Sequence, residues 1–326
     1  MKAKIVSTSS YLPKKILSNA DLEKIVDTTD EWITTRTGMK ERRIAGAEEF
    51  TSDMGAQAAR DAIEKSGRDP KDIDLILVAT LTPDYIFPST ACMVQNAIGA
   101  ENAAAMDVQA ACSGFIYGIS IAKAYVNAGL YKNVLLIASE KLSTIVDYED
   151  RSTAILFGDG ASACVISSEG QGLAIEEVSL GADGKLTDIL MMPGGGSRHP
   201  ATRQSVDDKL HYIRMEGREV FKHAVRRMEA SSVECVEKAG ISEVNWMVPH
   251  QANVRIIEAI AKRFKLPMER VYLTIHKYGN TSASSVGIAL DELLEQKKVN
   301  RGENILLTAF GAGLTWGSAV LTKEDD

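Results

Sequence analysis

Ala110-Ala111-Cys112-Ser113-Gly114-Phe115 is the stretch on which the fold turns. A polar approach, Asp107-Val108-Gln109, leads into it, and an apolar pattern at helical spacing follows through Phe115, Ile116, Ile119, Ala122 and Val126. That periodicity predicts a buried helix whose first turn begins at the cysteine or just after it. A helix start carries unpaired backbone N–H groups and the positive end of the macrodipole, and both favour thiolate over thiol. Cys112 is therefore expected to be a nucleophile near neutral pH, with small neighbours that let another group approach closely. The plainer alternative is a small buried hydrophobe, the commoner fate of a free cysteine.

The segments around this stretch read as strands and helices in alternation. Residues 73–79 and 133–139 are continuous apolar runs, the pattern of strands buried on both faces, and 104–108 is a strand that feeds the cysteine. The second part of the chain repeats the pattern. Residues 244–248 and 305–310 read as strands, and Gly279-Asn280-Thr281-Ser282-Ala283-Ser284-Ser285 is a loop of small residues that feeds a helix over 286–294. At an offset of 171, Leu75 falls on Trp246, Leu135 on Leu306 and Ala111 on Ser282. One offset serving three elements predicts a duplicated α/β unit, with halves 1–172 and 173–326, whose mixed sheets are covered by helices. A pseudo-twofold axis would then set the Cys112 helix start against the 279–285 loop.

The totals bound what such a body does. The 326 residues are 45% hydrophobic and 25% charged, as in an ordinary globular protein, and the net charge is −7. An acidic surface offers nothing to nucleic acid, so any basic docking site must be local. The four cysteines, at 92, 112, 164 and 235, form no C-x-x-C pair, which leaves a zinc or redox site without support. The first residues lack the apolar core of a signal peptide, and no run approaches the length of a membrane span. These features point to a reducing cytoplasm and away from the membrane.

Among five histidines, His250 stands out. It follows the 244–248 strand directly, in Pro249-His250-Gln251-Ala252-Asn253, at the end where ligands gather in α/β sheets. It is a candidate hydrogen-bond donor or base. Asn280, in a loop of glycine and small hydroxyl residues, is a candidate donor to an oxyanion, against the alternative of an ordinary turn asparagine. Cysteine, histidine and asparagine together suggest nucleophilic attack on a carbonyl, and by themselves they leave a cysteine hydrolase and an acyl transferase both open. Trp32 and Arg36 share one helix face and would suit an adenine and a phosphate; a half-buried tryptophan beside a surface arginine is the alternative. Phe87 sits at an apolar loop tip with no evident core of its own. Arg218, Lys222 and Arg226 recur every four residues on a helix read over 215–239, and Arg255, Lys262 and Arg263 lie on the next one, a local basic face for an acidic partner. The alternative is a solvated face balanced by Glu216, Glu219 and Glu258. Residues 192–208, with Gly194-Gly195-Gly196, read as a flap. Gly311-Ala312-Gly313 leads into a strand rather than a helix, which removes it as a dinucleotide fingerprint.

Three motifs carry a family resemblance: Ala111-Cys112-Ser113-Gly114-Phe115, Pro249-His250-Gln251-Ala252-Asn253 and Gly279-Asn280-Thr281-Ser282. With Asp30-Glu31-Trp32-Ile33, Phe157-Gly158-Asp159-Gly160 and Phe310-Gly311-Ala312-Gly313, the chain resembles β-ketoacyl-acyl carrier protein synthase III from about residue 4 to 322. The resemblance implies the thiolase-like duplicated βαβαβαββ fold in α-β-α-β-α layers, a homodimer, and no metal or redox cofactor. It implies decarboxylative condensation of a short acyl-CoA, acetyl-CoA above all, with malonyl-acyl carrier protein. A relative with a branched or longer starter is the near alternative. Cys112, His250 and Asn280 would be catalytic, with the backbone N–H groups of Cys112 and Ala312 as the oxyanion hole. Thr28, Trp32, Arg36, Arg151, Phe221 and Asn253 match coenzyme A positions. Phe87 (from the partner subunit), Leu142 and Phe157 match the acyl pocket, and Arg255 the main carrier-protein contact, joined by Lys222, Lys262 and Arg263. The chain departs from the family pattern at Ala312, where glycine is usual, and in a longer 192–208 segment.

Overall fold

A computed structural model describes residues 2–324. The first half holds β1 (Lys4–Tyr11), β2 (Lys15–Ser18), α1 (Asn19–Leu22), α2 (Asp30–Thr37), β3 (Glu41–Ile44), α3 (Thr51–Lys65), β4 (Leu75–Ala79), α4 (Thr90–Ile98), β5 (Ala104–Val108), α5 (Gly114–Asn127), β6 (Asn133–Glu140), α6 (Arg151–Ala154) and β7 (Gly160–Ser167). The second holds β8 (Leu173–Ala182), β9 (Leu190–Met191), α7 (Arg203–Asp207), β10 (Arg214–Met215), α8 (Gly217–Ala239), β11 (Trp246–Pro249), α9 (Val254–Arg263), α10 (Ile275–Tyr278), α11 (Ser284–Glu295), β12 (Asn304–Gly311) and β13 (Thr315–Lys323).

Nine strands run in the order β11-β12-β13-β8-β1-β7-β6-β4-β5. The centre of that order is a short join, in which β1 and β8 pair only through Lys4 with Ala174 and Ile5 with Leu173. Outward from it the two sides mirror each other, and the mirror keeps the offset read in the sequence. Leu75 of β4 pairs in parallel with Val134 of β6, and Trp246 of β11 pairs in parallel with Ile305 of β12. Adding 171 to each residue of the first pair gives the second. The same offset relates Ala111 (φ 46°) to Ser282 (φ 51°), two non-glycine residues held in the left-handed region. The repeat is looser at its edge: β5 is a full strand, whereas the outer side of β11 has a single bridge, Met247 to Val271.

The continuous apolar runs have a direct cause. Alternate residues of each central strand enter different cores. Leu75, Leu77 and Leu136 face the middle layer, where α5 and α11 contribute Phe115, Ile119, Val286 and Leu290. Ile76, Val78 and Leu135 face α3 and α4, against Met54, Ala58 and Val94. Leu307 turns to the middle layer, while Leu306 and Met247 turn out to α8 and α9, against Met228, Ile257 and Ile260. The result is helix, sheet, helix, sheet, helix. The middle layer is tight: a Cβ on Gly118 would run into Leu136, and one on Gly287 into Ser162.

The 192–208 segment is more ordered than a plain flap. Its base is clasped by β9 and β10, paired antiparallel, and it contains α7, whose start is capped by the Thr202 hydroxyl accepting from Ser205 N at 3.0 Å.

Candidate active site

The turn between β5 and α5 carries Cys112 in a single 3₁₀ turn, Ala111–Ser113, with the strained Ala111 before it. The β12–β13 turn is pressed against it. Thr315 Oγ1 donates to Ala110 O at 2.9 Å, and Ser113 Oγ donates to Thr315 O at 3.1 Å. A Cβ at Gly311 would lie 2.7 Å from Cys112 N, so glycine is required there. Ala312 has no left-handed φ, and its methyl is therefore tolerated where the family pattern has glycine.

His250 directly follows β11, its N–H donating to Thr308 O at 2.8 Å. Its Nδ1 lies 2.7 Å from Ser285 Oγ at the start of α11. That hydroxyl also accepts from Gln251 N at 3.4 Å; when its own hydrogen is directed at Nδ1, the ring proton of the neutral imidazole sits on Nε2. Buried Gln251 fixes the loop through Pro249 O, Tyr272 O, Thr274 N and Ile275 N. Asn280 is oriented by its Oδ1, which accepts from Ser282 N at 2.8 Å, so its NH₂ is left for the cavity.

Cys112, His250 and Asn280 line one cavity of about 600 Å³, with Phe157 and Phe310 among its apolar walls. Burial pushes His250 down to about 4, so its imidazole is neutral. Burial also pushes the Cys112 thiol up to about 12, opposed by the Ser282 hydroxyl and reinforced by the charge of Glu140. Desolvation therefore opposes the thiolate that the helix start favours.

The remaining sequence candidates divide. Trp32, Arg36, Phe221, Asn253, Lys222 and Arg255 line the same cavity. Arg36 and Arg151 guanidiniums lie 5.9 and 5.0 Å from the Trp32 ring centre. Thr28 and Arg151 do not line the cavity. Asn253 caps α9, its Oδ1 accepting from Arg255 N at 2.9 Å and its Nδ2 donating to Arg36 O at 3.2 Å. Leu142 is buried beside Phe157 in one cluster, off the cavity wall. Phe87 is 84% exposed at a tip with Tyr85 and Ile86, away from its own chain's cavity. On the basic face, Lys222 pairs with Glu219 at 2.6 Å and Arg263 with Glu229 at 2.9 Å, so that stripe is partly neutralised from within. Lys262 makes no ion pair among the described residues, and Arg255 lies over Phe221 at 5.5 Å.

Sequence reasoning missed Ser282 and Ser285 as individual groups, and it missed Glu140. Glu140 had a signal: a carboxylate ending a strand whose eight residues are all buried.

A protein from Chlamydia muridarum named beta-ketoacyl-(acyl-carrier-protein) synthase III is 58% identical over 326 residues, 99% of this chain and 100% of that one. The chain belongs to the β-ketoacyl-acyl carrier protein synthase III family. Residues 106–184 match the family described as 3-oxoacyl-(acyl-carrier-protein) synthase III, and residues 237–323 match its C-terminal part. The synthase III of Caldanaerobacter subterraneus subsp. tengcongensis is 53% identical, with 98% of this chain and 97% of that one covered. The crystal structure of the synthase III from Aquifex aeolicus superposes with a TM-score of 0.90 at 51% identity, covering 98% of this chain and 99% of that one. The thiolase fold of these synthases is the fold described above. Among the described residues of this chain, no helix is long and apolar enough to cross a membrane.

Proposed function

We propose that Cys112, His250 and Asn280 carry the initiating condensation of fatty acid synthesis that belongs to this family, with acyl-CoA and malonyl-acyl carrier protein as substrates. The observation that carries the assignment to these residues is their convergence, from three separate loops, on one apolar cavity. Cys112 Sγ attacks the acyl-CoA thioester; the carbon–sulfur bond to CoA breaks, and CoA leaves with the thiol proton. Malonyl thioester then loses CO₂. The enolate oxygen takes hydrogen bonds from His250 Nε2–H and Asn280 Nδ2–H, and the enolate carbon attacks the acyl-Cys112 carbonyl. A new carbon–carbon bond forms and Cys112 leaves as thiolate. The backbone N–H groups of Cys112 and Ala312, in turns pressed together, would hold the oxyanion in both acyl transfers. Decarboxylation drives the sequence, so the chemistry calls for no metal or redox group. The four cysteines are free, in keeping with a reducing compartment such as the cytoplasm.

Coenzyme A would lie at the mouth, across Trp32, Arg36, Phe221 and Asn253, with Thr28 and Arg151 on its outer side. The exposed Tyr85–Ile86–Phe87 tip supports a homodimer in which each Phe87 enters the partner's acyl pocket, over Phe157 backed by Leu142. Such a pocket favours a short, straight starter. Acetyl-CoA should outpace isobutyryl-CoA by roughly 10-fold or more, as one or two methyl groups are worth 10–200-fold in a tight site. Incubation with a mixture of acyl-CoAs, followed by intact mass and then by malonyl-carrier protein, tests both points. Equal loading of acetyl and isobutyryl groups would sink the starter assignment; acyl-enzyme that gives only free acid would sink the condensation.

Carrier protein docks on the α8–α9 face in this reading. Arg218, Lys222 and Arg255 rim the mouth, and exposed Lys262 and Arg263 extend the face. Acyl carrier proteins are acidic, so attraction here speeds encounter and weakens with salt. Arg255→Glu should raise the apparent KM for malonyl-carrier protein by about tenfold and leave acetylation of Cys112 nearly unchanged. A variant with the parent's KM at both low and high salt would exclude this face.

A further inference from the structure

Arg42 of β3 is among the largest fully buried side chains of the molecule, and the mechanism above does not use it. Its guanidinium is satisfied by neutral oxygens. Nε and Nη2 both donate to Ile155 O, Nε at 3.0 Å, and Nη1 donates to Asn19 Oδ1 at 2.5 Å. Desolvation lowers it to about 10, so the group is still charged at neutral pH. A buried charge with no carboxylate against it costs stability, and an apolar side chain of similar length would fill the space without that cost.

The carbonyl that Arg42 holds opens the segment that clasps Asn280. Leu156 O accepts from Asn280 N at 2.9 Å, and Asn280 O accepts from Gly158 N at 3.0 Å, so both backbone groups of Asn280 are fixed by residues 156–158. Beyond them Asp159 N donates to Arg43 O at 2.8 Å, which ties the segment to β3. The Arg42 stem packs against both glycines of this crossing. A Cβ on Gly279 would lie 2.9 Å from Arg42 Cγ, and one on Gly158 would lie 3.2 Å from Arg42 Cβ. Ile155, Leu156, Phe157 and Asn280 line the cavity, and Arg42 stands behind them, off its wall. The far side of the fork is anchored too. Asn19 Nδ2 donates to Asp30 Oδ1 at 2.7 Å and to Met39 O at 2.9 Å, and Asp30 begins α2.

We infer that Arg42 is a positioning residue for Asn280: its buried fork fixes the Ile155 carbonyl and, through residues 156–158, sets where the Asn280 amide stands in the cavity. Two N–H groups on one carbonyl fix direction as well as distance, which a single ammonium does not. The bond from Ser282 N to Asn280 Oδ1 then turns the amide, while the backbone clasp sets its place.

The inference rests on the proposed role of Asn280 in decarboxylation. Arg42→Lys keeps the stem and the charge and loses the fork. It should acetylate Cys112 within about twofold of the parent yet release CO₂ from malonyl-carrier protein about tenfold more slowly, since a small misplacement of a reacting group is costly. A residue that only supported the fold would slow both half-reactions alike. In an Asn280→Ala background Arg42→Lys should cause no further loss, because the group it positions is gone. Arg42→Met should follow the same pattern with a loss of about 100-fold; if it is insoluble, the lysine variants decide. Losses that multiply with those of Asn280→Ala overturn the inference, as do equal losses in the two half-reactions, or parental rates in Arg42→Lys when Asn280→Ala is impaired. Parental decarboxylation by Asn280→Ala would instead reject the proposed role of Asn280. A crystal structure of Arg42→Lys then decides the positioning by itself: a displaced Asn280 in an otherwise parental cavity upholds it, and an Asn280 in its parental place overturns it.

Discussion

Cys112→Ser should fold like the parent and lose transfer from acyl-CoA by a factor on the order of 10⁴ or more, the usual scale for removing a covalent nucleophile. The fold should survive because serine is smaller than cysteine and finds the Ser282 hydroxyl as a neighbour. The loss is large because a buried serine hydroxyl is a far weaker nucleophile than a thiolate, and no base here is placed to activate an alcohol. Intact mass after incubation with acetyl-CoA gives the readout: one acetyl group on the parent, none on the variant. The other three cysteines supply the control. Cys164 lies in β7 with no exposure, its thiol pushed up by burial. Cys235 donates to Ser318 O at 3.4 Å on the inner face of α8 and is pushed up to about 11. Cys92 is exposed on α4, away from the cavity. Acetyl groups found by peptide mapping on any of these, with Cys112 bare, would remove Cys112 from the reaction.

What was legible in the sequence follows from where burial imposes a pattern. Strands covered on both faces must be apolar at every position, so β4, β6 and β12 announce themselves, and two halves packed on a common middle layer must repeat their spacing. The offset of 171 therefore survives to single-residue register, from Leu75 and Val134 to Trp246 and Ile305. Cys112, His250 and Asn280 were legible because each sits where a buried strand or loop meets a helix start, the place a doubly covered sheet exposes to a ligand. The ionisation of Cys112 was not legible, because the dipole of a helix is local while desolvation depends on everything packed around the sulfur. Ser282 and Ser285 were hidden for a related reason. In a run of small hydroxyl residues, only the three-dimensional path decides which one meets His250 and which one engages Asn280. Phe87 was placed correctly as an exposed tip, and its 84% exposure is the observation that makes a second subunit worth proposing.

His250→Ala and Asn280→Ala should separate the two half-reactions. Each variant should still take an acetyl group onto Cys112 within a few-fold of the parent rate, and each should lose release of CO₂ from malonyl-carrier protein by about 10²–10³-fold, the range for removing one donor from an oxyanion site. The geometry gives the reason. Neither side chain is free to act as a strong base: burial holds His250 near 4, and the Asn280 amide does not take up a proton at neutral pH. Both are instead held as donors. In that role the Ser285 hydroxyl donates to Nδ1 and the ring proton sits on Nε2, while Ser282 N engages Oδ1 and leaves the amide NH₂. Two neutral donors in a dry cavity stabilise an oxygen that gains charge, which is the enolate of decarboxylation, more than they assist a sulfur that must lose a proton. A neutral His250 also fixes the pH response. From pH 6 to 8 decarboxylation should show no step at the ordinary histidine value of about 6.5, since the imidazole has already lost its extra proton well below that range. Release of ¹⁴CO₂ from labelled malonyl-carrier protein, measured beside acetylation by intact mass, checks both statements. Equal losses in the two half-reactions, or a step near pH 6.5 that vanishes in His250→Ala, would make His250 a general base for Cys112 and reopen the reading as a cysteine hydrolase.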